Sequence, residues 1–206
     1  MSWTRNTSVP APAGFSHHIA NRPRACDTYN GSHVRNDNFH SSRSGVVVDF
    51  EVIKRLLAGL EREQVRYAIF GAVALNLHGL ARFTEDLDLF VEPEAKNIER
   101  LRAALRTVVD DPEIENITAE DLLGDYPAVQ YVPPDGSFQV DILTRLGTAF
   151  SFADLEIERV SIDGLVVSVV TPRTLYNMKK DTVRLKDRAD AQMLKERFSL
   201  TDDEGR

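Results

Sequence analysis

Hydrophobic side chains are spread unevenly along this chain. Through residue 45 they are scattered among Ser, Asn, Pro, His and Arg without a period. From Val46 they fall into regular patterns. Phe50, Ile53, Leu56, Leu57 and Leu60 recur at helical spacing behind Asp49, a residue suited to an N-cap, and predict a helix to about residue 63. Residues 66–70 read as a buried strand, 72–78 as a short helix ended at Gly79, and 86–91 as a second strand stopped by Pro93. Ile98, Leu101, Leu105 and Val108 predict an amphipathic helix over 94–109. The stretch 110–125 is polar, with one helical turn expected at 119–123. Residues 128–132 and 138–143 read as strands around the turn Pro133-Pro134-Asp135-Gly136. After a connector at 150–155, residues 156–162 and 165–170 form a hairpin signal about Asp163-Gly164. Pro172 opens a helical region to about Phe198, and 199–206 is a polar tail.

Strands interleaved with helices, then a hairpin, then helices, predict a small α/β (α+β) domain. A mixed β-sheet is flanked by helices, with a C-terminal helical region. The expected organisation is a disordered tail over 1–45, a folded domain over 46–198 and a polar tail over 199–206.

Charge changes the picture in one respect. The formal net charge of −7 argues against broad coating of nucleic acid, while leaving room for a local basic groove. The N-terminal segment is cationic, so the folded part is more acidic than the whole. It also holds His17, His18, His33 and His40, whose spacing matches no closed metal-ligand set. Cys26 is the single cysteine, so no internal disulfide can form, which suits a reducing cytoplasm. No apolar run approaches the roughly 20 residues that span a bilayer, and the N-terminus lacks a signal-peptide pattern. The expected location is the cytoplasm.

The candidate chemistry sits in 67–91. Asp86 and Asp88, two residues apart on one expected strand, point to one face. Asp141 is a third carboxylate inside the apolar run Phe138-Gln139-Val140-Asp141-Ile142-Leu143. Buried carboxylates must be paired or bind metal, and hard oxygen donors of this kind suit Mg2+ together with substrate phosphates. The alternative is that these aspartates end strands or cap turns. Gly71-Ala72 lies where a strand turns into a helix, and backbone N–H groups there favour phosphate. Lys179 and Lys186, seven apart in one expected helix, share a face and either reach phosphates or form a solvated face with pairs such as Lys186–Asp190. Arg82 either contacts substrate or pairs with a carboxylate across the sheet. His78, just before Gly79, is expected as a helix C-cap acting on the dipole rather than as a general base. Asp187 is expected to orient a lysine or arginine.

Gly71-Ala72, His78-Gly79, Arg82-Phe83-Thr84-Glu85-Asp86-Leu87-Asp88, Asp141 and the segment from Leu175 through Lys179 to Asp190 together resemble the DNA polymerase beta-like nucleotidyltransferase superfamily. More narrowly they resemble the AbiEii-type and minimal nucleotidyltransferase-like bacterial proteins. The similarity spans roughly 46–198. It implies a nucleotidyltransferase fold, two Mg2+ ions and a nucleoside triphosphate substrate such as ATP. Asp86, Asp88 and Asp141 would be the metal-binding and catalytic residues. Gly71, Ala72, Arg82, Thr84, Lys179 and Lys186 would be nucleotide-binding. Where the family usually has Gly or Ser, this chain has Ala72, which keeps the backbone N–H and lacks a hydroxyl.

The expected activity is transfer of a nucleoside monophosphate to an acceptor hydroxyl by two-metal catalysis. The acceptor is open among RNA (tRNA included), protein and small molecule. If this is a toxin of a toxin–antitoxin pair, a cognate antitoxin is expected. Three alternatives stand beside it: a non-catalytic antitoxin or regulatory module with the same fold, an aminoglycoside-type small-molecule transferase, and a structural nucleotide sensor without turnover.

Overall fold

The structure, a computed structural model, describes residues 19–20, 50–124 and 127–202. The expected disordered tail and the Asp49 cap fall outside these residues, apart from Ile19–Ala20. In chain order the strands are β1 (Ile19–Ala20), β2 (Tyr67–Phe70), β3 (Leu87–Val91), β4 (Ala128–Tyr131), β5 (Val140–Leu143), β6 (Arg145–Leu146), β7 (Phe150–Ser151), β8 (Ile157–Ile162) and β9 (Leu165–Val170). The helices are α1 (Phe50–Arg62), α2 (Gly71–Leu77), α3 (Ala95–Leu105), α4 (Ala119–Leu123), α5 (Pro172–Lys180) and α6 (Leu185–Phe198). A six-stranded mixed sheet runs in the order β4-β5-β3-β2-β9-β8, and β1 adds a two-residue edge beside β4. Pairs β3–β5 and β2–β9 are parallel; the other pairs in the sheet are antiparallel.

The core is continuous across the sheet and its helices. Leu56, Leu60, Ile69, Leu89, Phe90, Leu101, Ile142 and Val169 are all fully buried. α1 buries Val52, Ile53, Leu56, Leu57 and Leu60 and packs on α3, whereas Phe50, counted on that face from its spacing, is exposed. Gly59 permits the α1–α3 approach, because a Cβ there would press on Ala104 of α3 and on Thr107 just past its end. No described helix is long and apolar enough to cross a membrane.

Several boundaries differ from the periodicity. α3 stops at Leu105, four residues before the expected end. There the Thr107 hydroxyl donates to the Ala104 carbonyl at 2.7 Å and the backbone tightens to i→i+3 bonds. β3 begins at Leu87, so Asp86 lies just before the strand, after a bend at Glu85. The connector at 150–155 contains β7 and a 3-10 turn, closed by Ser151 and Asp154 as a capping box.

The largest difference concerns the C-terminal helix. It is two helices, α5 and α6, which pack on one another. Thr171 caps α5 by accepting from the Thr174 N–H, and Pro172 sits in its first turn. The chain leaves helical geometry at Asp181 and re-enters after Arg184, which has extended backbone angles. Past α6 the chain turns back at Ser199 with φ +52°. Asp202 then accepts from the Tyr176 hydroxyl and from Lys195 at 2.7 Å, so the chain as far as Asp202 packs against α5 and α6.

Candidate active site

Sheet register assembles the site. Asp88 of β3 stands beside Asp141 of β5 in the parallel pair, and Gln130 of β4 stands beside Asp141 in the antiparallel pair. Residues directly paired across strands project to the same face. Asp88, Asp141 and Gln130 therefore form one row across three strands. One step upstream the Leu87 N–H donates to the Gln139 carbonyl at 2.9 Å, so Asp86 and Gln139 are also neighbours. Asp86, Asp88 and Asp141 each offer a carboxylate oxygen within 4.8 Å of the others, and all three are half-buried.

Each side of this cluster has its own support. The Thr84 hydroxyl donates to Asp86 Oδ1 at 2.6 Å and lies 3.4 Å from the Asp86 N–H, a side-chain turn that fixes the bend before β3. Asp141 Oδ1 accepts from Gln130 Nε2 at 2.8 Å and from Gln139 Nε2 at 3.4 Å. Gly71 closes the third side. It begins α2 with φ +67°, and a Cβ on it would collide with the Asp88 carboxylate. Glycine is required on both counts, conformation and space. Ala72 follows within the first turn of α2. Three hard oxygen donors on a preformed, partly desolvated face fit a divalent cation with open positions for phosphate.

Arg82 and Lys179 meet on a shared carboxylate. Asp190 of α6 is buried, and it accepts from Arg82 Nε at 3.1 Å and Lys179 Nζ at 3.0 Å. Lys179 also donates to Asp187 Oδ1 at 2.8 Å. Asp187 thus orients a lysine as its sequence position suggested. Arg82 pairs with a carboxylate, though on a helix rather than across the sheet. Its backbone is held too, by reciprocal bonds with the Asn76 side chain of α2 at 2.7 and 2.8 Å.

Lys186 requires a correction. The expected shared helical face with Lys179 does not exist, because the break at 181–184 puts the two lysines on different helices. The Asp190 carboxylate that sequence spacing offered to Lys186 is taken by Lys179, and Lys186 is exposed. His78 also differs in part. Its backbone is the C-cap of α2, but its buried ring lies 2.8 Å from the Val170 carbonyl through Nε2 and 3.3 Å from Glu158 through Nδ1. The ring ties α2 to β9 and β8 instead of acting on the helix dipole. Gln130 and Gln139 were not singled out from the sequence; only the β4–β5 register reveals them.

Comparison with known proteins bears on this geometry. Curated proteins give no match. Among solved structures, a provisionally assigned nucleotidyltransferase from Thermotoga maritima has 15% identity and TM-score 0.44, covering 73% of this chain and 92% of that one. ANT(2")-Ia in complex with adenylyl-2"-tobramycin has 14% identity and TM-score 0.47, covering 73% and 90%. A nucleotidyltransferase-like protein from Paracoccidioides brasiliensis has 16% identity and TM-score 0.42, covering 69% and 74%. Likeness at this level carries no substrate with it. The family match is broader: residues 55–197 fit the family described as nucleotidyl transferase AbiEii toxin, type IV TA system. That match takes in the carboxylate cluster, Gly71, and the α5–α6 pair, and it spans more than half of the sequence, so the chain belongs to the AbiEii nucleotidyltransferase family.

Proposed function

We propose that this nucleotidyltransferase moves a nucleoside monophosphate from a nucleoside triphosphate to an acceptor hydroxyl, using Mg2+ held by Asp86, Asp88 and Asp141. The observation that carries this reading is the convergence of those three carboxylates beside Gly71. Two divalent ions, when bound, would neutralise phosphate charge and make the acceptor hydroxyl more acidic. Asp88 would be one of the three residues that hold them. Gly71 lies against the Asp88 carboxylate, and the backbone of Gly71 and Ala72 would receive phosphate oxygens. The acceptor oxygen attacks the α-phosphorus and forms a new P–O bond as the bond to the β-phosphate oxygen breaks. Pyrophosphate leaves, and the acceptor proton passes to Asp141 or to water.

Thr84 and Arg82 act here as positioning residues. Thr84 holds Asp86, and Arg82 ties the loop before β3 to Asp190. Lys179 enters through the same ion cluster, and Lys186 would meet phosphates from its exposed place on α6. A specific observation favours an anionic acceptor such as RNA. The 172–198 segment carries eight cationic against four acidic side chains in a chain of net charge −7. Arg184, Lys186 and Arg188 are exposed at the start of α6, and exposed Phe83 sits next to Arg82. Exposed cations and an exposed aromatic ring are the groups that hold a single-stranded nucleic acid. The triphosphate pool and such an acceptor place the work in the cytoplasm, and membership of a type IV toxin–antitoxin family suggests a cognate antitoxin.

The test is incubation of the full chain with each labelled triphosphate, Mg2+, and either total RNA, cellular protein or aminoglycosides. Label is expected in RNA, and Asp86→Asn with Asp88→Asn should abolish it. Lack of any Mg2+-dependent triphosphate binding would sink the enzyme reading and leave a non-catalytic module.

A further inference from the structure

Two glutamines converge on one oxygen of one carboxylate. Gln130 Nε2 and Gln139 Nε2 both donate to Asp141 Oδ1, at 2.8 and 3.4 Å. They arrive from different segments: Gln130 is the β4 residue paired with Asp141, and Gln139 precedes β5 by one residue on the face Asp141 uses. Both glutamines are half-buried, so water competes poorly for these bonds. A carboxylate offers about four lone-pair sites, two on each oxygen. The two amides occupy those of Oδ1, which leaves Oδ2 as the oxygen of Asp141 open to the cluster. Asp86 is treated similarly, since Thr84 takes its Oδ1.

From this we infer that Gln130 and Gln139 are selectivity residues: they hold Asp141 as a one-oxygen ligand and thereby bias the site towards Mg2+ over Ca2+. The inference rests on the metal reading of the previous subsection. The chemistry is that of the two cations. Mg2+ demands a small, near-ideal octahedron, in which a carboxylate contributes one oxygen. Ca2+ accepts six to eight oxygens and readily takes both from one carboxylate. With Oδ1 engaged by amides, bidentate chelation by Asp141 requires breaking two hydrogen bonds. Without them, Asp141 can rotate and offer both oxygens. A ligand held by its own protein partners also binds more tightly, and removal of such partners commonly weakens metal affinity by about 10–100-fold.

The experiment measures metal binding directly. Free Mn2+ is followed by electron paramagnetic resonance as it binds the full chain, and Mg2+ and Ca2+ are titrated as competitors. Gln130→Met and Gln139→Met keep side-chain length and remove the donor, so strand packing is retained, and thermal unfolding of the metal-free protein checks it. Mg2+ affinity is expected to fall about 10–100-fold in Gln130→Met. Ca2+ affinity should fall by a smaller factor, narrowing the Mg2+/Ca2+ preference, with Gln139→Met having the weaker effect of its longer bond. Infrared splitting of the carboxylate stretches should shift towards the bidentate pattern in the Ca2+-loaded double variant. Equal loss for both cations, or no loss, overturns the selectivity role while leaving the metal site standing. A wild-type chain that binds none of the three cations overturns this inference and the functional reading together.

Discussion

Replacing Asp190 tests whether α6 is built into the site or merely lies beside it. The Asp190 side chain is 4% exposed and accepts from both Arg82, 29% exposed, and Lys179, 12% exposed. Asp190→Ala removes the one acidic group that these cations share. Breaking a buried pair by deleting one partner costs about 3–5 kcal/mol, because a desolvated charge is left behind. Here the lower end applies. Lys179 keeps Asp187 at 2.8 Å, and Arg82 can turn its exposed part to water. The expected loss is therefore about 3 kcal/mol. For a domain of this size each kcal/mol moves the unfolding midpoint by about 2–4 °C, so the midpoint should drop by about 6–12 °C. Asp187→Ala leaves Lys179 its bond to Asp190 and should cost only about 1.5 kcal/mol, the worth of one charge-assisted hydrogen bond. Denaturant or thermal unfolding of both variants, with Arg82→Ala and the Arg82→Ala/Asp190→Ala double variant completing a cycle, measures this directly. A coupling between Arg82 and Asp190 below about 0.5 kcal/mol, or a larger loss from Asp187→Ala than from Asp190→Ala, would refute the shared-carboxylate account.

Four further outcomes follow from the geometry. Gly71→Ala must place a Cβ against the Asp88 carboxylate at a backbone angle that costs an L-residue about 1–2 kcal/mol, so both thermal stability and nucleotide transfer should fall. Asp141→Asn should abolish label transfer yet raise the metal-free unfolding midpoint, because it relieves repulsion among three carboxylates within 4.8 Å. Lys186→Ala should change stability by less than about 0.5 kcal/mol while weakening transfer to an RNA acceptor, read as a rise in KM; Lys179→Ala should lose stability as well. Acidification should loosen the C-terminal turn: the Lys195 and Tyr176 hydrogen bonds hold the Asp202 carboxyl below the ordinary Asp range, so its anchoring is complete above that range and lost as pH falls through the depressed value. Amide exchange at 199–202 reports it.

The elements were largely legible because their signals are local. α4, β8 and β9 follow a helical turn and a Gly-marked hairpin written in the sequence. The carboxylate cluster was legible for a different reason. An i,i+2 acidic pair beside an apolar strand, and one Asp inside another, are expensive unless they are used. What the sequence hid was relational. Nothing in Asp181-Thr182-Val183-Arg184 contains Gly or Pro, so the break that separates Lys179 from Lys186 carries no strong stop signal. Gln130 and Gln139 are ordinary residues in strand-like text. Their convergence on Asp141 depends on the β4–β5 register, a long-range pairing that no local pattern encodes. Asp190 was visible only as a possible partner for Lys186, since the approach of the Arg82 loop to α6 is likewise tertiary.

The pattern of ion pairs also sets how the site must manage phosphate charge. Arg82 and Lys179 are matched by Asp187 and Asp190, so that group of four is formally neutral. The carboxylate cluster itself is repulsive to a triphosphate. Exposed Arg184, Lys186 and Arg188 are screened by solvent and salt, and point charges of that kind contribute little to tight binding. On the proposed reading, a divalent cation between them would hold the phosphate charges next to three carboxylates. Triphosphate binding should therefore depend steeply on Mg2+ and only weakly on ionic strength. RNA binding, resting on the exposed cations of α6, should show the reverse. A triphosphate that binds equally well in excess chelator would mean that the positive charge comes from the side chains after all.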